Sequence, residues 1–403
     1  MSYKDYLGDA YNEKTNVFDK IKAKKEVYDK KSKLNIVLFG ATGVGKSSLV
    51  NAIFGDNIVE SGVGQPITQF LEKIEIKSKG LTLWDTKGIE AKDYESTKEM
   101  LIQDIEKGFA DAFDTGNDDM APHVVWICIK ESSGRVEERE YDLLEIAKKF
   151  GIPTVVVFTN TQGENGDEFF QTASKDIDTR YKDFVKGRYV RVNSVAYKFM
   201  GMTVPTSGLK QLLQLTEDCL DEAQNNTKEQ RQKRIEALRK AQEVDMEKKL
   251  ASMIDSAKTM VHLASAAAAI VGAIPIPGPD APIIAAIQTR LVYTLNSEFE
   301  VNDNDSQAVQ VITGILGATA LAQIGKTIVA NTLKFIPGIG SLVGGAISAS
   351  TAAALTQAIG QTYIKVLVAY FDKATGKTIL PEHTATALAM FKDVFSEMWK
   401  KKG

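Results

Sequence analysis

The chain has 403 residues, of which 44% are hydrophobic and 25% charged, with 49 Lys and Arg against 52 Asp and Glu. That length and apolar content suit two domains with ample cores. A charge balance this even excludes a general basic excess, and with it nucleic-acid binding as the main task.

Residues 1–33 read as a charged helical segment with Val17, Ile21 and Tyr28 as sparse apolar contacts; no signal peptide opens the sequence. The apolar run Leu34-Asn35-Ile36-Val37-Leu38-Phe39 predicts a buried strand, and Ser48-Leu49-Val50-Asn51-Ala52-Ile53-Phe54 a helix. Between them, Gly40-Ala41-Thr42-Gly43-Val44-Gly45-Lys46-Ser47 fits the phosphate-loop pattern G-x-x-x-x-G-K-[ST], in the strand-to-helix context that the motif requires. Glycines let the backbone wrap a polyphosphate with its N–H groups pointing inward, and the helix N-terminus at Ser48 adds its positive end. Lys46 would neutralise β- and γ-phosphate charge, and the Ser47 hydroxyl would ligate magnesium.

Further on, Gly64-Gln65-Pro66-Ile67-Thr68 offers a loop threonine whose hydroxyl and carbonyl could complete a metal shell. Leu81-Thr82-Leu83-Trp84-Asp85-Thr86-Lys87-Gly88 is a second apolar strand ending in Asp-x-x-Gly. There the Asp85 carboxylate reaches magnesium and the Gly88 N–H meets a γ-phosphate; the bland alternative is a strand-end acid capping a turn. Lys46, Thr68 and Gly88 are thus the catalytic candidates, and Ser47, Thr68 and Asp85 the metal ligands.

These residues, with Leu49 to Gly55 after the loop, resemble the Era and septin class of small GTPase domains over roughly residues 30–220. The resemblance implies GTP and GDP as ligands with Mg2+. It also implies an α/β fold with a P-loop (Ras-like), mainly parallel six-stranded sheet carrying helices on both faces. Strand candidates are 34–39, 70–77, 81–85, 124–130, 153–159 and 189–194, and segments 94–109, 136–149 and 168–185 carry helical periodicity. Alternating β and α elements put ligands at the carboxyl ends of the strands, where Gly40, Asp85 and Thr159 fall.

The base-reading segment departs from the class, which uses Asn/Thr-Lys-x-Asp. Here Thr159-Asn160-Thr161-Gln162 puts Asn160 at the lysine place and Gln162 at the aspartate place. A glutamine offers one carbonyl acceptor and a competing donor, so the charge-assisted pair to guanine is lost. Some chloroplast-import GTPases carry a glutamine there, which keeps GTP ahead of ATP; Glu164 is another source of a carboxylate. Asn193 and Ser194 lie where the class places its last base-contacting loop, and are equally a polar strand end. Ile89 follows Gly88, where Ras-like proteins carry the glutamine that orients water. Slow hydrolysis is therefore expected, with Gln65, Gln69, Arg135, a partner or a second copy supplying the missing group.

Cys128 and Cys219 show neither disulfide nor metal spacing and read as reduced, structural thiols of a cytoplasmic protein. His123, His262 and His383 make no ligand cluster, and the acidic loop at Asp111, Asp114, Asp118 and Asp119 reads as solvated. From Lys228 to Lys249 a charged helical stretch carries a thin apolar stripe of Ile235, Leu238, Ala241 and Leu250, as a connecting helix would. The expected boundaries are 1–33, a GTPase domain at 34–222, a connecting helix at 223–258 and an apolar all-α domain at 259–403.

In that last region Thr259–Pro279, Ser306–Gly325 and Phe335–Ile364 carry no charged residue, long enough to span a bilayer. In the longest run the large apolar residues instead recur at helical spacing, as at Ile339, Leu342, Val343 and Ile347, which favours a soluble, packed helical domain, able to touch membranes, over an inserted hairpin. Gly340-x-x-x-Gly344 would let helices approach closely. Residues 273–282, with Pro275 and Pro277, and 335–340 read as corners between helices, with Asp280 as a helix cap. The first corner, with Ile283 to Gln288, resembles the C-terminal domain of YcjF-type proteins over roughly residues 245–370, a family often fused to Era-like GTPase domains and frequently membrane-associated. Asn302 to Asp305 reads as a helix-capping turn, lacking an EF-hand's later glycine and glutamate. Lys400 to Lys402 would add a marginal lipid contact.

Three readings stay open. The first is a nucleotide switch acting through residues 259–370 on a membrane surface or protein effector. The second is a dynamin-like or immunity-related GTPase activated by homodimerisation through the nucleotide face. The third is a scaffold that binds nucleotide without turnover.

Overall fold

Leu34–Phe39 forms a strand because every one of its side chains can be buried, and all six are. Alternation sends Ile36 and Leu38 to one face of a sheet and Val37 and Phe39 to the other, so helices must cover both. The structure is a computed structural model that describes residues 2–12, 14–29, 33–55, 58, 63–86, 91–161, 166–199, 202–223, 226–273, 280–301, 349–381 and 384–400. The chain divides into two compact units, Lys31–Lys249 and a second made of Met1–Lys30 with Leu250–Gly403.

In the first unit the strands are β1 (Leu34–Phe39), β2 (Val63–Pro66), β3 (Leu71–Ile76), β4 (Leu81–Thr86), β5 (Val124–Lys130), β6 (Thr154–Thr159) and β7 (Tyr189–Val192). Their order is β2-β3-β4-β1-β5-β6-β7. Strands β4, β1, β5, β6 and β7 are mutually parallel, whereas β2 and β3 run antiparallel to their neighbours. The six expected strands are thus joined by a seventh, β2, at the sheet edge. Helices α1 (Lys46–Phe54), α5 (Leu209–Glu222) and α6 (Lys228–Ala241) cover one face through Leu49, Ile53, Leu212, Leu220 and Leu238. Helices α2 (Ala91–Asp114), α3 (Glu138–Lys149) and α4 (Gly166–Val185) cover the other through Ile105, Phe109, Leu144 and Ile177.

The 189–194 strand stops at Val192; Asn193 instead pairs with Ser207, below a short hairpin of Tyr197–Phe199 and Met202–Val204. The single connecting helix expected over 223–258 is two helices, α6 and α7 (Met246–Gly272). Gln242 breaks it. Its amide oxygen accepts from the Val244 and Asp245 N–H groups, both at 2.7 Å, and Asp245 Oδ1 then accepts from Lys248 N–H at 3.1 Å to start α7.

The second unit is helical, with the later part of α7, α8 (Asp280–Glu298), α9 (Ala349–Ala369) and α10 (Thr384–Lys400) around one core. Small residues permit close approach: a Cβ at Gly360 of α9 would come 2.4 Å from Val261 Cγ2 of α7. Residues 1–33, expected to stand as a separate helical segment, divide near residue 30, and Met1–Lys30 belongs to this unit. Leu7 and Ala23 are in its core, and the Arg290 guanidinium donates to Leu7 O at 2.9 Å and to Glu26 Oε2 at 3.0 Å. Among the described residues no helix is long and apolar enough to cross a membrane. Pro275, Pro277, the Asn302–Asp305 turn, the 335–340 corner, the Gly340/Gly344 pair and His383 lie outside the described residues.

Candidate functional site

The loop after β1 folds as it does because two of its glycines cannot be replaced. Gly40 has φ 141°, and a Cβ there would come 2.5 Å from Cys128 O on the neighbouring β5; Gly45, at φ 97°, turns the chain into α1. Gly45 caps α1 with no side-chain hydrogen bond, so the helix's first-turn amides have no capping side chain to meet. Thr42, Gly43, Ser47 and Ser48 are exposed around this opening, Ala41 is half-buried, and Val44 is in the core.

Lys46 begins α1 and is 8% exposed. Its ammonium donates to Gly40 O at 2.9 Å and to Ala41 O at 3.4 Å, and lies 3.5 Å from Asp85 Oδ1. That is close enough for charge attraction. Asp85 Oδ1 is nonetheless buried without a hydrogen-bond partner. Burial holds the Asp85 carboxyl above the usual carboxylate range, with Lys46 pulling the other way. A cation beside backbone oxygens and a buried anion with an open acceptor are two groups that a phosphate–metal pair would satisfy together. Asp85 and the Ser47 hydroxyl are thus fit to hold a divalent cation, hard oxygen donors of the kind magnesium takes. Among the described residues no cluster of three or more His, Cys, Asp or Glu could hold a metal unaided.

Thr68 is held within its own turn. Its hydroxyl accepts from Leu71 N–H at 3.1 Å, and the Ile67 and Thr68 N–H groups donate to Leu71 O, so it is engaged in the β2–β3 turn rather than with Lys46 or Asp85. That turn is clipped to α2, where Asp104 Oδ2 accepts from Phe70 N–H at 2.9 Å and Gly108 leaves room for Ile67 and Leu71. Lys87, Gly88, Ile89, Gln162 and Glu164 lie outside the described residues.

On the base side, the Thr159 hydroxyl donates to Val44 O at 2.5 Å and to Ile129 O at 3.4 Å, so it anchors the phosphate loop to β5 and β6. Asn160 adopts φ 54° directly after β6, its amide 3.9 Å from where a Gly45 Cβ would be. Asn193 is 1% exposed and donates to Pro205 O at 2.8 Å, a fold contact; Ser194 beside it is also buried. Gln69 and Arg135 are exposed, Arg135 reaching Glu137 at 3.4 Å; Gln65 is in β2. Two supports were not legible in the sequence: the Thr86 hydroxyl donating to Leu38 O at 3.1 Å, and the Arg191–Glu131 pair at 2.8 Å beside the start of α4. Cys128 and Cys219 are buried and free, each thiol pushed up to about 12 by burial.

Residues 35–160 match the family described as 50S ribosome-binding GTPase. The match supports a P-loop GTPase domain. It runs from β1 to Asn160 and leaves residues 161–403 unmatched, so neither the Era and septin class nor the YcjF-type likeness follows from it. Similar solved structures include a probable GTP-binding protein engB, at 15% identity over 46% of this chain and 97% of that one, with a TM-score of 0.33. Another is the translation elongation factor SelB from Methanococcus maripaludis with the GTP analogue GppNHp, at 14% identity, 48% of this chain, 35% of that one and a TM-score of 0.30. A third is an S. thermophilus NFeoB variant bound to GDP, at 14% identity, 74% and 95% coverage and a TM-score of 0.28. No curated protein matches the sequence.

Proposed function

We propose that the chain is a GTP-binding, slowly GTP-hydrolysing switch in which nucleotide state is coupled to the helical unit. The observation that carries this is the Lys46 ammonium held over Gly40 O, 3.5 Å from a buried Asp85 oxygen that has no hydrogen-bond partner. Magnesium, when bound, would be held by Ser47 and Asp85 and would neutralise phosphate charge. Lys46 and the amides of the phosphate loop bind and orient the polyphosphate, while Thr159 fixes the loop through Val44. Thr68 would join the metal shell only on leaving its turn, which is how the bound phosphate would be sensed. Guanine choice is carried by the resemblance to GTPases, because Gln162 is a weaker reader than aspartate.

Ile89 in place of a water-orienting glutamine supports a low intrinsic rate, raised by a second copy across the nucleotide face or by a partner. The uncharged runs Thr259–Pro279, Ser306–Gly325 and Phe335–Ile364, rich in small residues, support a membrane surface or protein effector as the downstream contact, and a cytoplasmic chain that binds at a membrane periphery. Titration of the purified chain with labelled GTP, GDP and ATP in magnesium, with and without liposomes, tests the proposal against a Lys46→Ala control. Binding of GTP and GDP over ATP, with phosphate release above the control, is expected. Failure to take up any purine triphosphate would end this reading, and uptake with no release would leave the scaffold.

A further inference from the structure

Among the described residues the most exposed large apolar side chain is Ile21, at 84%, on the helix Lys20–Asp29 of the helical unit. One such residue by itself is ordinary. Its surroundings give it a meaning, because residues 13–33 hold eight lysines against the four acids Glu13, Asp19, Glu26 and Asp29, in a chain whose net charge is -3.

Packing sorts the helix into two faces. Ala23 is buried in the helical core and Val27, one turn on, packs against that core, so the opposite face is turned to solvent. Ile21 and Lys25, also one turn apart, share this outer face with Lys20 and Lys22 at its margins, and all four are exposed. The nearby acids are occupied elsewhere. Glu26 is drawn inward, its side chain 17% exposed and its Oε2 accepting from the Arg290 guanidinium at 3.0 Å. Asp19 caps the helix, its Oδ1 accepting from the Ile21 and Lys22 N–H groups, both at 3.0 Å. Among the described residues none of Lys20, Lys22 and Lys25 makes an ion pair. The hairpin before the helix adds an exposed Lys14, and Val17 at 58% exposure. Lysines without acids around an aliphatic centre complement a surface that is negative outside and apolar within.

We propose that this face docks on an anionic membrane surface, with Lys20, Lys22 and Lys25 among the lipid headgroups and Ile21 at the headgroup–acyl boundary. Each lysine near such a surface strengthens binding about fivefold, through an attraction that fades within a Debye length. A polynucleotide would meet the lysines and leave Ile21 in water, so lipid is the better match. The buried Ala23 and the Arg290–Glu26 pair hold the helix in place beforehand, and docking therefore need not order it. This surface lies outside residues 259–370 and needs no nucleotide, so it stands or falls separately from the contact and the switch proposed above.

The test is co-sedimentation of the full chain, without nucleotide, with vesicles of phosphatidylcholine alone and of phosphatidylcholine and phosphatidylserine in equal parts, beside a titration with poly(U) RNA. The wild type is compared with Lys46→Ala, Ile21→Ser and a triple variant carrying Lys20→Glu, Lys22→Glu and Lys25→Glu. Wild type and Lys46→Ala are expected to bind the phosphatidylserine vesicles alike and the neutral ones far more weakly. Affinity for the charged vesicles should fall ~100-fold or more in the triple variant, about tenfold in Ile21→Ser, and steadily with added salt. All four side chains are exposed, so melting transitions should match the wild type. Should the triple variant fail to fold, Ile21→Ser and the salt dependence of the wild type carry the test. The proposal is overturned by equal binding to both vesicles, by no sedimentation with either, by binding that either folded variant leaves intact, or by a stronger hold on poly(U) than on the charged vesicles.

Discussion

Burial raises the Asp85 carboxyl, and the Lys46 ammonium 3.5 Å away opposes that rise. Removing the lysine leaves a carboxylate with one buried oxygen and without the ammonium now beside it. Since the Asp85 side chain is still 28% exposed, Lys46→Ala should cost only ~1–2 kcal/mol in urea unfolding, well under the cost of breaking a fully buried pair. Its triphosphate affinity should fall far more, by ~100-fold or greater, because charge-assisted contacts to phosphate go with it. Asp85 gives a pH signature as well. Its carboxyl is raised by burial, so between the ordinary carboxylate value and the raised one the folded chain binds more protons than the unfolded chain, and stability falls as pH rises through that interval. Asp85→Asn should remove this loss, giving a melting temperature that no longer drops there. Wild-type affinity for magnesium–triphosphate should weaken as pH falls into the same interval, since only the ionised form is a ligand, while the asparagine variant stays weak and flat.

At the scale of elements, the turn between β2 and β3 is the part most open to test. Asp104 on α2 supplies the acceptor for Phe70 N–H, and Asp104→Ala should cost ~1 kcal/mol of stability in the nucleotide-free chain. If Thr68 must leave this turn to meet magnesium, the same ~1 kcal/mol returns as a roughly fivefold gain in triphosphate affinity; unchanged affinity would show that the turn plays no part in the response. This turn also marks where sequence reading stops. Strands β1, β4, β5 and β6 were legible because their apolar runs admit no other placement, and the phosphate loop because its residue types serve one chemistry. Strand β2 was not, since Val63-Gly64-Gln65-Pro66 has little apolar content and its proline suits only an edge. Thr159 ends β6 and Asn193 follows β7, yet their side chains are turned to Val44 O and Pro205 O, a choice between neighbouring acceptors that spacing alone does not decide. The break at Gln242 was hidden for a related reason. Glutamine is a good helix former, and only its four hydrogen bonds to the surrounding backbone make it a stop.

For the whole molecule, the division of the chain has consequences that truncation can measure. Helix α6 reads from sequence as part of a connector, yet Ile235, Ala237, Leu238 and Ala241 are buried in the same core as β1 and α1. Uncovering Ile235 and Leu238 alone should cost ~3–6 kcal/mol, at ~1.5–3 kcal/mol for each large aliphatic side chain, a large fraction of the stability of an ordinary domain. A fragment of residues 31–249 should therefore unfold cooperatively, whereas one of residues 34–222 should melt well below it or fail to fold. The converse holds at the amino terminus. Deleting residues 1–30 takes Leu7 and Ala23 from the helical core and leaves Arg290, 6% exposed, without Leu7 O and Glu26. A buried guanidinium deprived of its acceptors costs more than the lost packing. In differential scanning calorimetry that deletion should lower the transition belonging to the helical unit and spare the transition that bound nucleotide raises. If the nucleotide-sensitive transition fell instead, the first thirty residues would have to be reassigned to the sheet-bearing unit.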